Sequence, residues 1–257
     1  MNKKRNKNNH QDQDSMRLNK YIANYGEYSR RQADRLIEEG KVEINGKVAS
    51  LGDQVMAKDK VYVEGKHIYK KKINPTYIVL NKPKGIISST TDRQGLDVIS
   101  FMDIEERVFP VGRLDKDSEG LILLTNDGSI VNRIAKSKFG HEKEYIVRVN
   151  KDITAEFINS MESGVRILGQ TTLPATLKPI DKRSFRLTIT QGLNRQIRRM
   201  CEALGFEVLN LKRIRMMNIT LGNLKSGEWR IMGHKELAQL LSLLEKAENE
   251  VLKRDDS

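Results

Sequence analysis

The sequence contains very little cysteine and no long apolar segment. Cys201 is its only cysteine, which excludes an intramolecular disulfide and favours a reducing compartment. Its neighbours Ile197, Met200 and Leu204 predict that the thiol is buried. No run approaches the ~20 apolar residues of a membrane-spanning helix, and the polar N-terminus lacks the apolar stretch of a secretory signal. We therefore expect a cytoplasmic protein with no membrane association.

Motifs for several common chemistries are also missing. The histidines lie too far apart to build a zinc site with the single cysteine, so no metal is expected; they are His10, His67, His141 and His234. The chain has no P-loop, no G-x-G-x-x-G and no G-x-S-x-G. These absences argue against a nucleotide-driven helicase, a Rossmann methyltransferase and a serine hydrolase.

Positive charge is concentrated in two segments of the chain. The whole sequence has 46 basic and 34 acidic side chains, a net charge of +12. Residues 1–74 hold 17 basic and 10 acidic side chains, and residues 191–230 hold 8 and 3, whereas the rest of the chain is balanced. Because a general solubility bias would spread the charge, this distribution predicts a binding surface for a polyanion, either a nucleic acid or a membrane surface.

Composition divides the chain into four predicted segments. An Asn/Lys-rich start has too few apolar residues for a core, and a second polar, basic stretch precedes Pro75. Between and after these stretches, apolar residues recur at helix and strand spacing. We predict a disordered basic tail at 1–15, a compact module at 16–65, a linker at 66–74 and a larger domain at 75–252.

The compact module shows two helices and a small sheet. Ser29 with Gln32 forms a capping-box pattern at the start of the second helix. Asn45-Gly46 between alternating apolar residues is a strong hairpin signal, and Val61–Val63 supplies a further short strand.

The larger domain mixes strands and helices without regular alternation. This order predicts an α+β fold with a mixed, largely antiparallel sheet flanked by helices. The last helix carries leucines at helical spacing, which predicts a face docked on the core. Predicted strands are 77–80, 119–125, 144–149, 172–178, 184–190, 207–211 and 218–221, and predicted helices are 128–137, 153–162, 194–204 and 234–252.

A polar loop enclosed by Gly112 and Gly120 precedes a buried strand, a location where catalytic groups collect. Arg113 and Asp115 are two residues apart and can pair, which would keep the carboxylate ionised, as a nucleophile or base requires. Spacing alone favours a solvated acidic loop. The nearby acidic residues also allow a glycosidase carboxylate pair, although the basic flanks fit RNA better.

A second cluster of charge lies on the predicted helix 194–204. Arg195, Arg198 and Arg199 are spaced at i, i+3 and i+4, so they share one face and suit phosphates or a carboxylate. A solvated helix face is the alternative, and the local charge excess argues against it.

Residues 112–128, G-R-L-D-K-D-S-E-G-L-I-L-L-T-N-D-G, resemble the central motif of the RsuA/RluA group of pseudouridine synthases. The resemblance implies that Asp115 is the essential catalytic residue. It also implies that Arg113 helps hold open the site that the target base leaves. Residues 80–85 resemble the first motif of the group, a strand that ends in a Pro/Gly turn.

Two further stretches agree with this group in order and spacing. Residues 141–145 resemble the K-x-Y motif, which implies that Tyr145 packs on the uracil ring. Residues 191–200 resemble the third motif, N-x-Q-I-R-R, which implies that Arg198 pairs with Asp115.

The module at 16–65 resembles the S4 RNA-binding domain, in the runs R-L-N-K-Y-I-A and S-R-R-Q-A-D-R-L-I-E-E-G-K. The resemblance implies a basic surface that contacts phosphates without reading sequence. Its predicted RNA-binding residues are Arg17, Lys20, Arg30, Arg31, Lys41 and Lys47, to which we add Arg195 and Arg199 of the larger domain.

An S4 domain joined to this catalytic domain marks the RsuA/RluB/RluE/RluF branch. The resemblance implies a uridine-to-pseudouridine isomerase acting on ribosomal RNA, with residues 191–230 favouring 23S rRNA. It implies no metal or organic cofactor, and we expect a monomer. Whether Asp115 acts as nucleophile or base stays open. The alternatives are a non-catalytic RNA-binding or ribosome-assembly factor and a synthase specific for small-subunit rRNA or another RNA.

Overall fold

The structure is a computed structural model and describes residues 15–70, 74–88, 96–136 and 139–255. The predicted tail, apart from Ser15, lies outside the described residues. The chain divides into two compact units, Met1–Asn74 and Pro75–Ser257. Each unit has its own hydrophobic core and is described by itself.

The first unit combines two helices with short strands around one small core. The capping box at the start of α2 is confirmed, because Ser29 Oγ accepts from Gln32 N and the Gln32 side chain accepts from Ser29 N. Its elements are β1 (Met16–Arg17), α1 (Leu18–Tyr25), α2 (Arg30–Glu38), β2 (Val42–Ile44), β3 (Lys47–Val48), β4 (Gln54–Val55), β5 (Val61–Val63) and β6 (Lys66–Ile68).

The hairpin turn between β2 and β3 is also confirmed. Asn45 and Gly46 both have positive φ, 54° and 78°, as a two-residue hairpin turn requires. The linker prediction is wrong for its first residues. Strand β6 pairs with β5, and Tyr21 donates to the carbonyl of Ile68 at 3.3 Å, so the folded module extends through Ile68.

The second unit is an α+β domain, as the sequence predicts. Its elements are β7 (Tyr77–Lys82), α3 (Val98–Met102), β8 (Phe109–Val111), β9 (Glu119–Thr125), α4 (Gly128–Ala135), β10 (Lys143–Val149), α5 (Ala155–Ser163), β11 (Arg166–Ile167), β12 (Gln170–Thr171), β13 (Thr176–Asp181), β14 (Ser184–Ile189), α6 (Gln196–Ala203), β15 (Val208–Met216), β16 (Ile219–Thr220), β17 (Trp229–Ile231) and α7 (His234–Asp255).

One mixed sheet organises this unit. Among the described residues its strands run in the order β13-β14-β10-β15-β9-β7-β17, with β16 beside β15 and β8 beside β9. All pairs are antiparallel except β9 with β15, which is parallel. The predicted mixed, largely antiparallel sheet is therefore confirmed.

The central strands are buried on both faces. In β9, Leu121 and Leu123 belong to one apolar cluster, whereas Ile122 and Leu124 belong to the other. Helices cover the two faces, and the leucine face of α7 packs on α4 as predicted. Continuous apolar runs follow from burial on both sides, which is why 119–125 is recognisable from sequence.

Some strand boundaries differ from the predictions for identifiable reasons. Strand β13 begins at Thr176 and not at residue 172, because the preceding backbone N–H groups bond outside the sheet: Thr172 N donates to Val165 O and Ala175 N donates to Glu162 O. Strand β15 continues to Met216, beyond the predicted end at residue 211. Its extension contains Arg213, a charged residue that is nevertheless buried. The sequence therefore does not show the alternation of apolar and polar residues from which this part of the strand could be predicted.

The parallel junction of β9 and β15 depends on a glycine. Gly120 has φ +108° and lies directly opposite Arg213, so that an added Cβ would overlap the Arg213 backbone carbonyl. We expect Gly120→Ala to lower the free energy of unfolding by about 3 kcal/mol or more, since backbone strain and overpacking add. Urea unfolding would measure this. Gly233→Ala, where a Cβ meets no atom within 4 Å, is the control, and equal stability of the two variants would contradict the close-approach argument.

Across the described ranges, none of the helices combines the length and the apolar character that crossing a bilayer would demand.

Candidate active site

The loop that carries Asp115 is fixed at both ends and from the side. It leaves β8 at Val111 and enters β9 at Glu119, and Ser118 N donates to the Asp115 carbonyl at 3.1 Å. Buried Ser88 holds the preceding residue twice: its hydroxyl donates to Leu114 O at 2.8 Å and accepts from Leu114 N at 3.1 Å. The backbone under Asp115 is thus immobilised by residues distant in sequence.

Asp115 lines a cavity of about 270 Å³. Its side chain is about one-third exposed, so the carboxylate is accessible to a ligand. The cavity is lined mainly by the Asp115 loop, β10, β15 and the start of α6. Tyr145 and Ile189 contribute to its walls, and both are buried. The structure therefore places the predicted Asp115 and Tyr145 in one cleft.

The arginine that approaches Asp115 is Arg195, and the prediction of Arg198 in this position is wrong. Arg195 Nη1 lies 3.8 Å from Asp115 Oδ2 and makes a two-pronged bond to Asp117 at 3.1 and 3.0 Å. The reason lies in where the helix starts. Helix α6 begins at Gln196, and Arg195 precedes it with φ 50° and ψ 34°, so Arg195 does not share the helical face on which the prediction relied.

Arg198 instead ties three elements together. Its Nη1 donates to Val208 O at 3.1 Å, its Nη2 donates to Asp117 O at 3.0 Å and reaches Ser118 Oγ at 3.4 Å. Its Nε lies 3.3 Å from Asp117 Oδ2. Arg198 therefore connects α6 and β15 to the Asp115 loop at Asp117, two residues after Asp115.

Asp117 is the ionised partner of both arginines. Partial burial acts to raise its pKa, but the hydrogen bond from Arg195 and the charges of Arg198 and Arg195 outweigh this and lower the pKa below its ordinary value. With Asp117 ionised, Arg195 is held in place beside the Asp115 carboxylate, and Arg198 is held against Asp117.

Arg113 lies at the rim of the cavity with an exposed side chain. The sequence prediction that it pairs with Asp115 is wrong, because no ion pair within the described ranges joins these two residues. Arg113 is free to contact a ligand at the mouth. Arg199, also predicted to contact RNA, hydrogen-bonds through Nε to the Asn194 carbonyl at 3.1 Å.

The sequence predictions do not include two buried cations, Lys82 and Arg213, and one half-buried cation, Lys143. Lys143 and Arg213 line the cavity, and Lys82 lies beneath the turn at residues 83–86, where it donates to Pro83 O and Ile86 O, both at 2.9 Å. Burial lowers the pKa of Lys82 and of Lys143 to about 8. The K-x-Y motif is the sequence signal that could have predicted Lys143 as a site residue, in addition to Tyr145.

The predicted RNA-binding residues of the first unit are mostly solvent-exposed. Arg17, Arg30, Arg31 and Lys47 are exposed and Lys20 is half-buried. Lys41 is exposed but forms ion pairs with Glu39 at 2.8 Å and Glu64 at 3.4 Å, so less of its charge is available to a phosphate. In the portions that the structure describes, no cluster of His, Cys, Asp and Glu has the geometry to hold a metal ion.

Comparison with known proteins assigns the class. Residues 76–203 match the family model described as RNA pseudouridylate synthase, and residues 16–67 match the S4 domain. The chain belongs to the RNA pseudouridine synthase family and carries an S4 domain at its N-terminal end.

The relatives point to a particular branch of that family. The chain is 50% identical, over 92% of its length and 82% of the relative's, to the dual-specificity RNA pseudouridine synthase RluF of Escherichia coli K12. It is 39% identical, over 91% of its length and 98% of the relative's, to the ribosomal large subunit pseudouridine synthase B of Bacillus subtilis 168. A crystal structure of a pseudouridylate synthase matches with a TM-score of 0.65 and 32% identity, covering 88% of this chain and 99% of that one.

Proposed function

We propose that this protein converts a specific uridine of large-subunit (23S) ribosomal RNA into pseudouridine, with Asp115 as the reacting carboxylate. The observation that carries the proposal is the cleft itself: an accessible carboxylate beside Arg195, with Tyr145 on the wall. Its size and mixed polarity suit one flipped-out base, which a pocket must receive before chemistry on a duplex-embedded nucleotide can occur.

The reaction follows from the positions of these groups. The target uridine leaves its stack at a cost of a few kcal/mol. Arg113, at the rim of the cavity, helps hold open the site that the base leaves in the RNA. Tyr145 packs on the ring. The Asp115 carboxylate then acts at the sugar, as nucleophile or as base, and the N1–C1′ bond breaks. The ring turns, C5 bonds to C1′, and the C5 proton is lost while N1 gains one, so the product is an isomer and no cofactor is consumed.

The proposed substrate rests on the relatives. The Bacillus subtilis relative is named for the large ribosomal subunit, and the Escherichia coli relative is named as a dual-specificity RNA enzyme. We assign large-subunit rRNA to this chain as its principal substrate, and a second RNA target is an outcome that mapping can detect. We further propose that it works as a monomer in the cytoplasm, where this RNA is made.

The direct test uses purified protein and rRNA from a strain that lacks the gene. Incubation should create pseudouridine at one defined position of the large-subunit RNA, detected by carbodiimide modification and primer extension. Tight RNA binding without any new pseudouridine would favour a non-catalytic RNA-binding or assembly factor. Modification confined to small-subunit RNA would replace the proposed specificity with that of a sister enzyme.

The S4 unit should contribute electrostatic affinity. Replacing three exposed residues with glutamine removes phosphate contacts, so the slope of log K against log salt should become less steep by roughly two to three units. The variant carries Arg30→Gln, Arg31→Gln and Lys47→Gln. A matched control removes three exposed charges of the second unit, Arg166→Gln, Lys178→Gln and Lys182→Gln. Filter binding at several salt concentrations measures both slopes, and an unchanged slope in the first variant would exclude the S4 unit as the RNA contact.

A further inference from the structure

Two cations occupy the inner wall of the cavity, on the same face of the sheet as Tyr145. Lys143 lies two residues before Tyr145 on β10, and alternate residues of a strand point to one face. Arg213 is the direct cross-strand partner of Tyr145 on β15. Both line the cavity that Asp115 shares.

Neither cation has a carboxylate partner within the ranges the structure describes. Arg213 is 3% exposed; its Nε donates to Leu121 O at 2.7 Å, and its Nη2 is buried without a hydrogen bond among the described residues. Lys143 Nζ makes only a long bond to His141 O at 3.3 Å. Burying unpaired charge is costly, so this arrangement indicates a group that supplies negative charge when the cavity is filled.

Lys143 and Arg213 are less exposed to solvent than the two arginines at the rim of the cavity. Arg113 and Arg195 are exposed at the mouth, where an RNA backbone and its phosphates remain. Lys143 and Arg213 line the part of the cavity beside Tyr145, into which only the extruded base extends. Their ligand is therefore the base and not a phosphate.

We propose that Lys143 and Arg213 stabilise the negative charge that develops on the uracil carbonyl oxygens as the glycosidic bond breaks; this rests on the proposed function. The electron pair of the N1–C1′ bond leaves with the ring, and delocalisation spreads the charge onto O2 and O4. Either C1′ then bonds to the Asp115 carboxylate, or Asp115 takes a proton from the adjacent C2′ and a C1′–C2′ double bond forms. When C5 bonds to C1′, the bond from C1′ to Asp115 breaks, or in the base alternative the proton on Asp115 returns to C2′, and the ring becomes neutral. C5 then loses its proton and N1 gains one.

Such a role requires fixed charges before the reaction starts. A donor that already points at the site of developing charge needs no reorganisation, and in a water-excluded cavity its effect is larger than in water. Arg213 is fixed by its bond to Leu121 and by strand pairing on both sides. Tyr145 supplies a ring surface but no positive charge.

The first test is Lys143→Met in single-turnover reactions with saturating RNA. The rate of pseudouridine formation should fall about 100-fold, the effect of losing one such donor, while the RNA dissociation constant changes by less than about twofold, because the phosphates are held elsewhere. Lys212→Met removes a neighbouring charge on the other face of β15 and should react as the wild type does. A wild-type rate in Lys143→Met would overturn the inference.

The second test is the pH profile, which a merely structural lysine would leave unchanged. The charged groups that face Lys143 in the cavity are Arg213 on β15, Arg113 and Asp115 on the loop and Arg195 before α6. Because burial and Arg213 lower the pKa of Lys143 to about 8, its positive charge is present below that pH and is lost above it. The wild-type rate should therefore decline above about pH 8. In Lys143→Arg, whose side chain stays charged, the rate should begin to decline only at a higher pH.

The outcomes separate this inference from the function on which it rests. If the wild type forms no pseudouridine, the proposed function fails. If the wild type is active but Lys143→Arg declines at the same pH as the wild type, the inference alone is wrong. Should Lys143→Met unfold, as circular dichroism would show, the comparison of wild type with Lys143→Arg decides.

Discussion

Asp115→Asn should reduce pseudouridine formation by at least about 10⁴-fold, the scale of losing an essential reacting group. Asparagine has nearly the same shape, but it neither attacks C1′ of the sugar nor accepts a proton from C2′. The loop should stay in place, because Ser88 and Ser118 hold it through backbone groups and not through the carboxylate. RNA affinity should therefore remain within a few-fold of the wild type, measured alongside single-turnover rates.

A matched control is available on the surface of the same unit. Asp152 is about half exposed and pairs with Arg183 at 2.7 Å, so Asp152→Asn makes the same chemical change away from the cavity. It should leave turnover unchanged. Turnover of Asp115→Asn within about tenfold of the wild type would remove Asp115 from the chemistry and leave the cleft without a reacting group.

Arg198→Met should cost both stability and activity. The substitution leaves the carbonyls of Val208 and Asp117 without their donor and removes a charge beside Asp117. Hydrogen bonds to a charged group contribute about 1.5–3 kcal/mol each; because Asp117 is half exposed, we expect a loss near 3 kcal/mol in total. Activity should fall at least about 100-fold, since a 1 Å displacement of the catalytic loop has that scale of effect.

The neighbouring arginine provides the comparison. Arg199 is on the same helix, but its bonds reach only Asn194. Arg199→Met should retain stability and lower RNA affinity modestly. Urea unfolding and saturating turnover distinguish the two variants, and equal behaviour of both would mean that Arg198 does not connect the helix to the loop.

Local signals in the sequence predicted the local structure well. The capping box at Ser29 and the turn at Asn45-Gly46 are determined by interactions within a few residues, so both were recognisable without tertiary information. Strand β9 was recognisable because burial on both faces leaves an uninterrupted apolar run. The loop that carries Asp115 was found because a long, specific motif spans it.

The spacing of the arginines in the sequence could not predict which carboxylates they contact. The spacing i, i+3 and i+4 predicted that Arg195, Arg198 and Arg199 share one helix face, which assumes that all three are helical; Arg195 is in the left-handed region instead. Arginine carries no sequence signal for that conformation. The helix starts at Gln196, two residues later than predicted, so that Arg195 approaches Asp115 and Arg198 pairs with Asp117.

Buried cations were equally hidden. Lys82, Lys143 and Arg213 all lie on strands. The packing of the assembled sheet and helices shields them wholly or partly from water, and this packing is not visible in the sequence. In a sequence, a lysine or an arginine is normally taken as surface. Only the packed structure shows their burial, and two of them, Lys143 and Arg213, add a positively charged wall to the predicted site.

The most direct measurement is pseudouridine mapping in a strain that lacks the gene, complemented with the wild-type protein or with Asp115→Asn. Carbodiimide modification of total RNA should reveal a large-subunit uridine that is isomerised with the wild-type protein and unmodified with the variant. An identical pseudouridine map in the deletion strain and both complemented strains would contradict the assignment of this cleft as a pseudouridine synthase site.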